Sequence, residues 1–168
     1  IYAGLDGDGP AAVYRSDTGG AFWFPASDGL PTHHVAQLVI DPLTPSTLFA
    51  RTRLISGTQN FDGLYRTVDG GATWLPISSG LPTSFSISAF ALDPQRPSTL
   101  YAIANYLLFR SADRGTTWEL LTDVQSNGAG WPYVSNSAVL LVDPGESNTL
   151  YVGSGGGIAR STNGGLAW

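Results

Sequence analysis

Ser111-Ala112-Asp113-Arg114-Gly115-Thr116-Thr117-Trp118 is one of four copies of a single phrase, and its reading decides the fold. The others are Thr67-Val68-Asp69-Gly70-Gly71-Ala72-Thr73-Trp74, the octet from Ser161 to Trp168, and a more degenerate octet from Ser16 to Trp23. An arginine precedes each copy, after Tyr14, Tyr65, Phe109 and Ala159. The residue types describe a tight β-hairpin corner. A hydroxyl at the first position and an Asp or Asn oxygen at the third can both accept hydrogen bonds from nearby backbone N–H groups. Glycine at the fifth position (Gly20, Gly71, Gly115, Gly165) permits backbone angles costly to other residues. The closing tryptophan (Trp23, Trp74, Trp118, Trp168) begins the next strand and offers a large ring to bury. On this reading Ser16, Thr67, Asp69, Ser111, Asp113, Ser161 and Asn163 are turn staples, not catalytic groups.

The octet resembles the Asp-box, or bacterial neuraminidase repeat, written Ser-x-Asp-x-Gly-x-Thr-Trp. The third copy matches at all five defined positions, and the second has Thr67 for Ser. The fourth carries Asn163 and Ala167, and the first Thr18 and Phe22, in place of Asp and Thr. The resemblance implies an all-β fold: a β-propeller segment of four-stranded antiparallel blades, with the box joining the third and fourth strands of each.

The repeat extends beyond the octet. Apolar runs end in Asp41-Pro42, Asp93-Pro94 and Asp143-Pro144, and each is followed by a polar turn and a strand starting at Ser46, Ser98 or Asn148. Spacings between the box tryptophans are 51, 44 and 50 residues, a period suited to one four-stranded blade. The expected order is strand A (Val35 to Ile40, for example), an Asp-Pro turn, strand B (Thr47 to Arg51), a variable loop, strand C (Gly63 to Arg66), the box, and strand D (Thr73 to Ile77). Gly-Leu-Pro links at Gly29 and Gly80 lead to the next strand A. Approximate blades are 1–30 (strands B to D), 31–80, 81–125 and 126–168 (strands A to C and the start of D). About three and a half blades do not close a ring, so completion is expected from further blades of a longer chain or from oligomerisation.

Composition narrows the function classes. With 168 residues, a formal net charge of −5, no lysine and half of the eight arginines at the repeated box position, the chain has no basic groove for nucleic acid. No apolar run approaches a membrane span. Absence of cysteine excludes thiol catalysis, disulfides and cysteine metal sites. No cofactor or metal site is expected: the adjacent His33 and His34 point to opposite faces in extended chain. Asp6-Gly7-Asp8-Gly9 opens like a calcium loop, but Pro10 stands at the next ligand position.

In a four-stranded meander the A–B and C–D turns share one end of the sheet, and here both are repetitive. The B–C and D–A connections share the other end, where the repeats diverge, and function is expected there. Two insertions fall at that end. Residues 51–62 are read as a long B–C loop carrying Arg53 and Asp62, a pair that suits a loop salt bridge better than a site. Residues 123–137 are read as a long D–A loop carrying Trp131 and Tyr133, which either stack on a sugar ring or pack as a small satellite core.

Asp-box repeats occur in sialidases, in xyloglucan-active endoglucanases built of two propellers, in the sortilin ectodomain and in photosystem II assembly factors. The full repeat phrase is most similar to xyloglucanase-type and sortilin-like exported bacterial propellers. That resemblance implies an extracellular or cell-surface location, with protein subunits or polysaccharide as partners. A sialidase arginine cluster is missing, and no carboxylate pair matches a catalytic motif. The residues therefore favour a non-catalytic extracellular binding or structural module, with part of an exported glycoside hydrolase as the alternative.

Overall fold

The fold, taken from a computed structural model, is described for residues 1–7, 12–31, 34–56, 59–82, 86–123 and 138–168. The chain forms two compact units, Ile1–Ile77 and Ser78–Trp168. Unit one holds a three-stranded antiparallel sheet, β1 (Tyr2–Gly4), β2 (Val13–Arg15) and β3 (Phe24–Pro25), then a four-stranded one, β4 (Val35–Ile40), β5 (Leu48–Ser56), β6 (Gln59–Thr67) and β7 (Leu75–Pro76). Unit two holds β8 (Ile87–Leu92), β9 (Leu100–Ala104), β10 (Leu107–Ser111) and β11 (Glu119–Asp123), then β12 (Val139–Val142), β13 (Leu150–Ser154) and β14 (Gly157–Ser161). In every sheet the strands lie in chain order, so each is a simple meander.

The corners between third and fourth strands are built alike. The first-position hydroxyl accepts from the N–H of the fifth-position glycine: Gly20 to Ser16 at 2.8 Å, Gly71 to Thr67 at 3.0 Å, Gly115 to Ser111 at 2.8 Å and Gly165 to Ser161 at 2.9 Å. The third-position oxygen accepts from the seventh N–H, at 2.9 Å in all four, whether it belongs to Thr18, Asp69, Asp113 or Asn163. The fourth and fifth residues both take positive φ, for example 72° and 90° at Gly70 and Gly71, which is why glycine fills seven of these eight places and Arg114 only one.

The Asp-Pro turns are equally regular. Asp41, Asp93 and Asp143 accept, through Oδ1, backbone N–H groups two residues ahead, at 2.8, 3.0 and 2.8 Å. A backbone bond then ties each turn to the corner beside it: Gly70 N to Ser46 O, Arg114 N to Ser98 O and Gly164 N to Asn148 O, at 2.8 to 2.9 Å. Register adds another repeated feature. The residue before the corner is an arginine directly opposite an aromatic residue on the second strand, as Tyr2↔Arg15, Phe49↔Arg66, Tyr101↔Arg110 and Tyr151↔Arg160.

Each unit buries its core between its two sheets. In unit one Val13, Ala26, Val35, Leu48, Ala50 and Trp74 form the cluster; in unit two Tyr101, Ile103, Leu108, Leu140, Leu150 and Val152 do. Trp74 is seated on the link leaving the first sheet: its indole N–H donates to Ala26 O at 2.9 Å and its backbone N–H to Asp28 O at 2.8 Å. Trp118 is also buried and Trp168 is half-buried, whereas Trp23 is 40% exposed.

Two expected elements change shape. Residues 51–62 are not a loop: β5 and β6 are nine-residue strands paired from Leu48↔Thr67 to Ser56↔Gln59. No proline interrupts the run, so the ladder continues through it. The fourth strands β3 and β7 are two residues long and β11 five, and in the short ones one bond still follows the proline, Ala26 N to Val13 O and Ile77 N to Leu64 O, both at 2.8 Å.

Gly29, with φ of 84°, lies so close to the Trp74 backbone that an added Cβ would sit 2.4 Å from its carbonyl oxygen. Gly29→Ala is expected to cost roughly 2–3 kcal/mol, read as a lower urea midpoint. Gly153→Ala, where nothing lies within 4 Å of the new Cβ, should stay within about 0.5 kcal/mol.

Candidate functional site

In unit one the connection leaving β1 and the one entering β4 meet at the end of the sheets away from the corners. The segment after β1 is zipped onto the start of β4: Val35 N donates to Leu5 O at 2.9 Å, and Asp6 forms an isolated bridge with His34. Arg53 N then donates to His34 O at 2.7 Å, which brings the β5–β6 hairpin to the same place. Asp6 Oδ1 lies 2.7 Å from His34 Nδ1. The carboxylate favours a proton on Nδ1 and leaves Nε2 as the ring's other hydrogen-bonding atom. Asp6 is well exposed and His34 one-fifth exposed, so the pair can meet a hydroxylated ligand.

Asp62 is buried, and the ion pair formed there is with Arg51, Nη1 to Oδ2 at 3.9 Å, rather than with Arg53. Arg53 stands opposite Asp62 in register, but its side chain is exposed. Arg51 is two residues back on the same face, and it is the buried partner of the two. Burial lowers the Arg51 guanidinium below its ordinary pKa, against the pull of Asp62. Trp131 and Tyr133 lie outside the described residues, as do His33 and Asp8.

The corner carboxylates are chemically committed. Asp69 receives the Thr67 hydroxyl at 2.6 Å and the Thr73 hydroxyl at 2.6 Å, and Asp113 receives those of Ser111 at 2.8 Å and Thr117 at 2.6 Å. These bonds, from Thr67 first for Asp69 and Thr117 first for Asp113, hold both carboxyls down to about 2. Such groups carry no proton to donate at neutral pH.

Two further described acids are paired with arginines: Asp17 with Arg15 at 2.8 Å and Glu119 with Arg110 at 3.4 Å. Among the described residues, no three His, Asp or Glu side chains come together as a metal site. A cavity of about 590 Å³ in unit one lies at the corner end, lined by Tyr2, Arg15, Asp17, Ile40, Ser46 and Asp69. The matching end of unit two is crossed by side chains instead. Gln95 Nε2 reaches Pro144 O at 2.8 Å, Arg96 reaches Asn148 at 3.2 Å, and Ser147 reaches Asp93 at 2.9 Å.

Sequence reasoning placed function at the divergent end but did not join Asp6 to His34. They stand 28 residues apart on neighbouring sheets, and no spacing rule encodes the approach of two sheets.

No protein-family model matches the chain. Over 151 residues it is 30% identical to a xyloglucanase of Hypocrea jecorina (strain QM6a), covering 80% of this chain and 17% of that protein. Its fold matches the crystal structure of the GH74 enzyme of Niastella koreensis with a TM-score of 0.74 at 20% identity, over 98% of this chain and 27% of that one. It also matches YCF48 from Cyanidioschyzon merolae, with a TM-score of 0.55 at 22% identity, over 83% of this chain and 37% of that one. The chain is thus an all-β propeller segment whose antiparallel sheets match the blades of GH74 enzymes. It is similar to part of the xyloglucanases and spans 17% of the length of that relative. No helix among the described residues is long and apolar enough to cross a membrane.

A corner carboxyl held below the ordinary value of 3.8 adds stability that is complete above about pH 4 and is lost as pH falls toward 2. Thermal melts from about pH 6 to about pH 2.5 should therefore show a smaller loss for the double variant Asp69→Asn/Asp113→Asn than for the parent chain. Equal losses would mean that these carboxyls do not drive acid sensitivity.

Proposed function

We propose that this chain is part of an exported glycoside hydrolase acting on a xyloglucan-type polysaccharide, with the divergent connections facing the substrate. The observation that carries this reading is the 30% identity to a xyloglucanase across 80% of the chain. The location is extracellular, as the reaction on a cell-wall polymer requires. On this reading Ser16, Gly20, Trp23, Thr67, Asp69, Gly71, Trp74, Ser111, Asp113, Gly115, Trp118, Ser161, Asn163, Gly165 and Trp168 are Asp-box scaffold. Arg53, exposed on the hairpin beside the Asp6–His34 pair, offers donors to sugar hydroxyls, and Asp62 holds the hairpin through Arg51. Trp131 and Tyr133, outside the described residues, are the aromatic candidates that the sequence offers.

A second reading is a non-catalytic module that binds polysaccharide or protein subunits. It is favoured by the commitments of Asp6, Asp17, Asp62, Asp69, Asp113 and Glu119, because hydrolysis needs two carboxyl groups facing each other about 5 to 10 Å apart across the scissile bond. Asp17, Asp62 and Glu119 are each held by an arginine, and Asp6 by His34. Both readings share substrate contact and differ in where the acid pair resides.

The chain is expected to be retarded by xyloglucan in native affinity gels, and to release no reducing ends from it unaided. Retardation lost in Arg53→Ala but kept in Arg66→Ala would localise contact to the divergent end. Failure of the parent chain to be retarded would overturn the substrate assignment, and turnover by this chain alone would place the acid pair within it.

A further inference from the structure

Tyr106 occupies a backbone position that its side chain does not suit. Asn105 and Tyr106 alone connect β9 to β10, with φ of 49° and 66°. A two-residue hairpin loop with both residues left-handed is of type I′, which favours glycine in second place. The fourth sheet closes its equivalent two-residue connection, Gly155 and Gly156 between the paired Ser154 and Gly157, without a left-handed residue at either place. A bulky aromatic residue at positive φ is an outlier, and nothing in the hairpin geometry asks for one.

The loop is nevertheless held firmly. Asn105 N donates to Ser86 O at 3.1 Å, and Asn105 Oδ1 accepts from Ser86 N at 3.1 Å. The Tyr106 ring packs against the core cluster of its unit while staying half-buried. A costly local conformation that the surroundings fix in place points to a use for the side chain it presents. The position is at the divergent end of unit two, where a B–C connection meets the residues leading into β8.

We propose that Tyr106 is a stacking platform for a pyranose ring of the polysaccharide substrate. This rests on the glycoside-hydrolase reading and adds a contact residue to it. A tyrosine ring presents an apolar face to the C–H face of a sugar, loses little conformational freedom when it binds, and keeps a hydroxyl at its edge for a sugar oxygen. Packing of the ring against the core fixes its orientation before the ligand arrives, and that preorganisation strengthens binding.

Xyloglucan in native affinity gels, with a thermal melt for each protein, tests this. Tyr106→Gly fits the turn better than tyrosine, so it is expected to stay folded and to weaken retention by about tenfold. Tyr106→Phe keeps the ring and should stay within about twofold of the parent. Should the glycine variant not fold, Tyr106→Asn, which also tolerates the left-handed backbone, takes its place. Parent and Tyr106→Gly retained equally would overturn the stacking role while leaving the substrate reading intact. A loss in Tyr106→Phe as large as that in Tyr106→Gly would overturn it too, because the hydroxyl rather than the ring would then be the contact. A parent chain not retained at all would remove both readings together.

Discussion

A single hydrogen bond, from a glycine N–H to a hydroxyl four residues earlier, governs this structure. It recurs in all four corners, and the accepting Ser16, Thr67, Ser111 and Ser161 are each only 1% exposed. A buried hydroxyl that lost its partners would leave backbone donors unsatisfied, a cost of about 1–3 kcal/mol for each group. The bond closes the chain into a corner and so sets the register of the third and fourth strands. Register in turn sets which residues face the neighbouring sheet. The pairing of the second and third strands adds the opposition of an arginine to an aromatic residue in every sheet, and in the last sheet the Arg160 guanidinium lies 6.0 Å from the centre of the Tyr151 ring.

Corner and Asp-Pro turn share one end of each sheet, and a backbone bond joins them in all three cases where both occur. That end therefore spends most of its carboxylates, hydroxyls and amides on one another, with Asp41 Oδ2 the buried carboxylate oxygen left without a partner among the described residues. The opposite end carries no such repeated staples. Its connections range from two residues to fifteen, and its polar groups are left to meet each other or a ligand. One end specifies the fold, and the other is open to change without undoing it.

The sequence makes the first end legible and the second end largely illegible. Octet and Asp-Pro turns announce local hydrogen bonding between residues a few positions apart, which composition and spacing can encode. The β5–β6 hairpin escaped because Arg51, Arg53 and Asp62 break the apolar alternation of a strand, though their backbones still complete the ladder. Pro25 and Pro76 at the ends of β3 and β7 mark outer strands, where a residue without a donor on the open side does no harm. Pairing of Asp6 with His34, and of Asp62 with Arg51 rather than Arg53, depends on how sheets approach and which face a guanidinium lies on. Exposure of Trp23, against burial of Trp74, is likewise not encoded by the octet itself.

A scaffold of this kind explains why likeness to xyloglucanases informs fold more readily than chemistry. Residues that must match for the corners to close are the ones that a chain built from these repeats cannot vary freely, and they lie away from the divergent end. Substrate contacts have to come from residues that the corners do not dictate. Local folding rules are obeyed at the stapled end, where glycine fills almost every left-handed position. At the other end Tyr106 takes such a position without being glycine, and Asp6 spends an exposed carboxylate on orienting an imidazole. Departures from the rules of folding, in a protein that otherwise keeps them, are best explained by a demand other than folding. Both of these lie at the end where the turns do not repeat, whereas Arg114, the one non-glycine residue at a left-handed corner position, sits in a corner closed by its own staples.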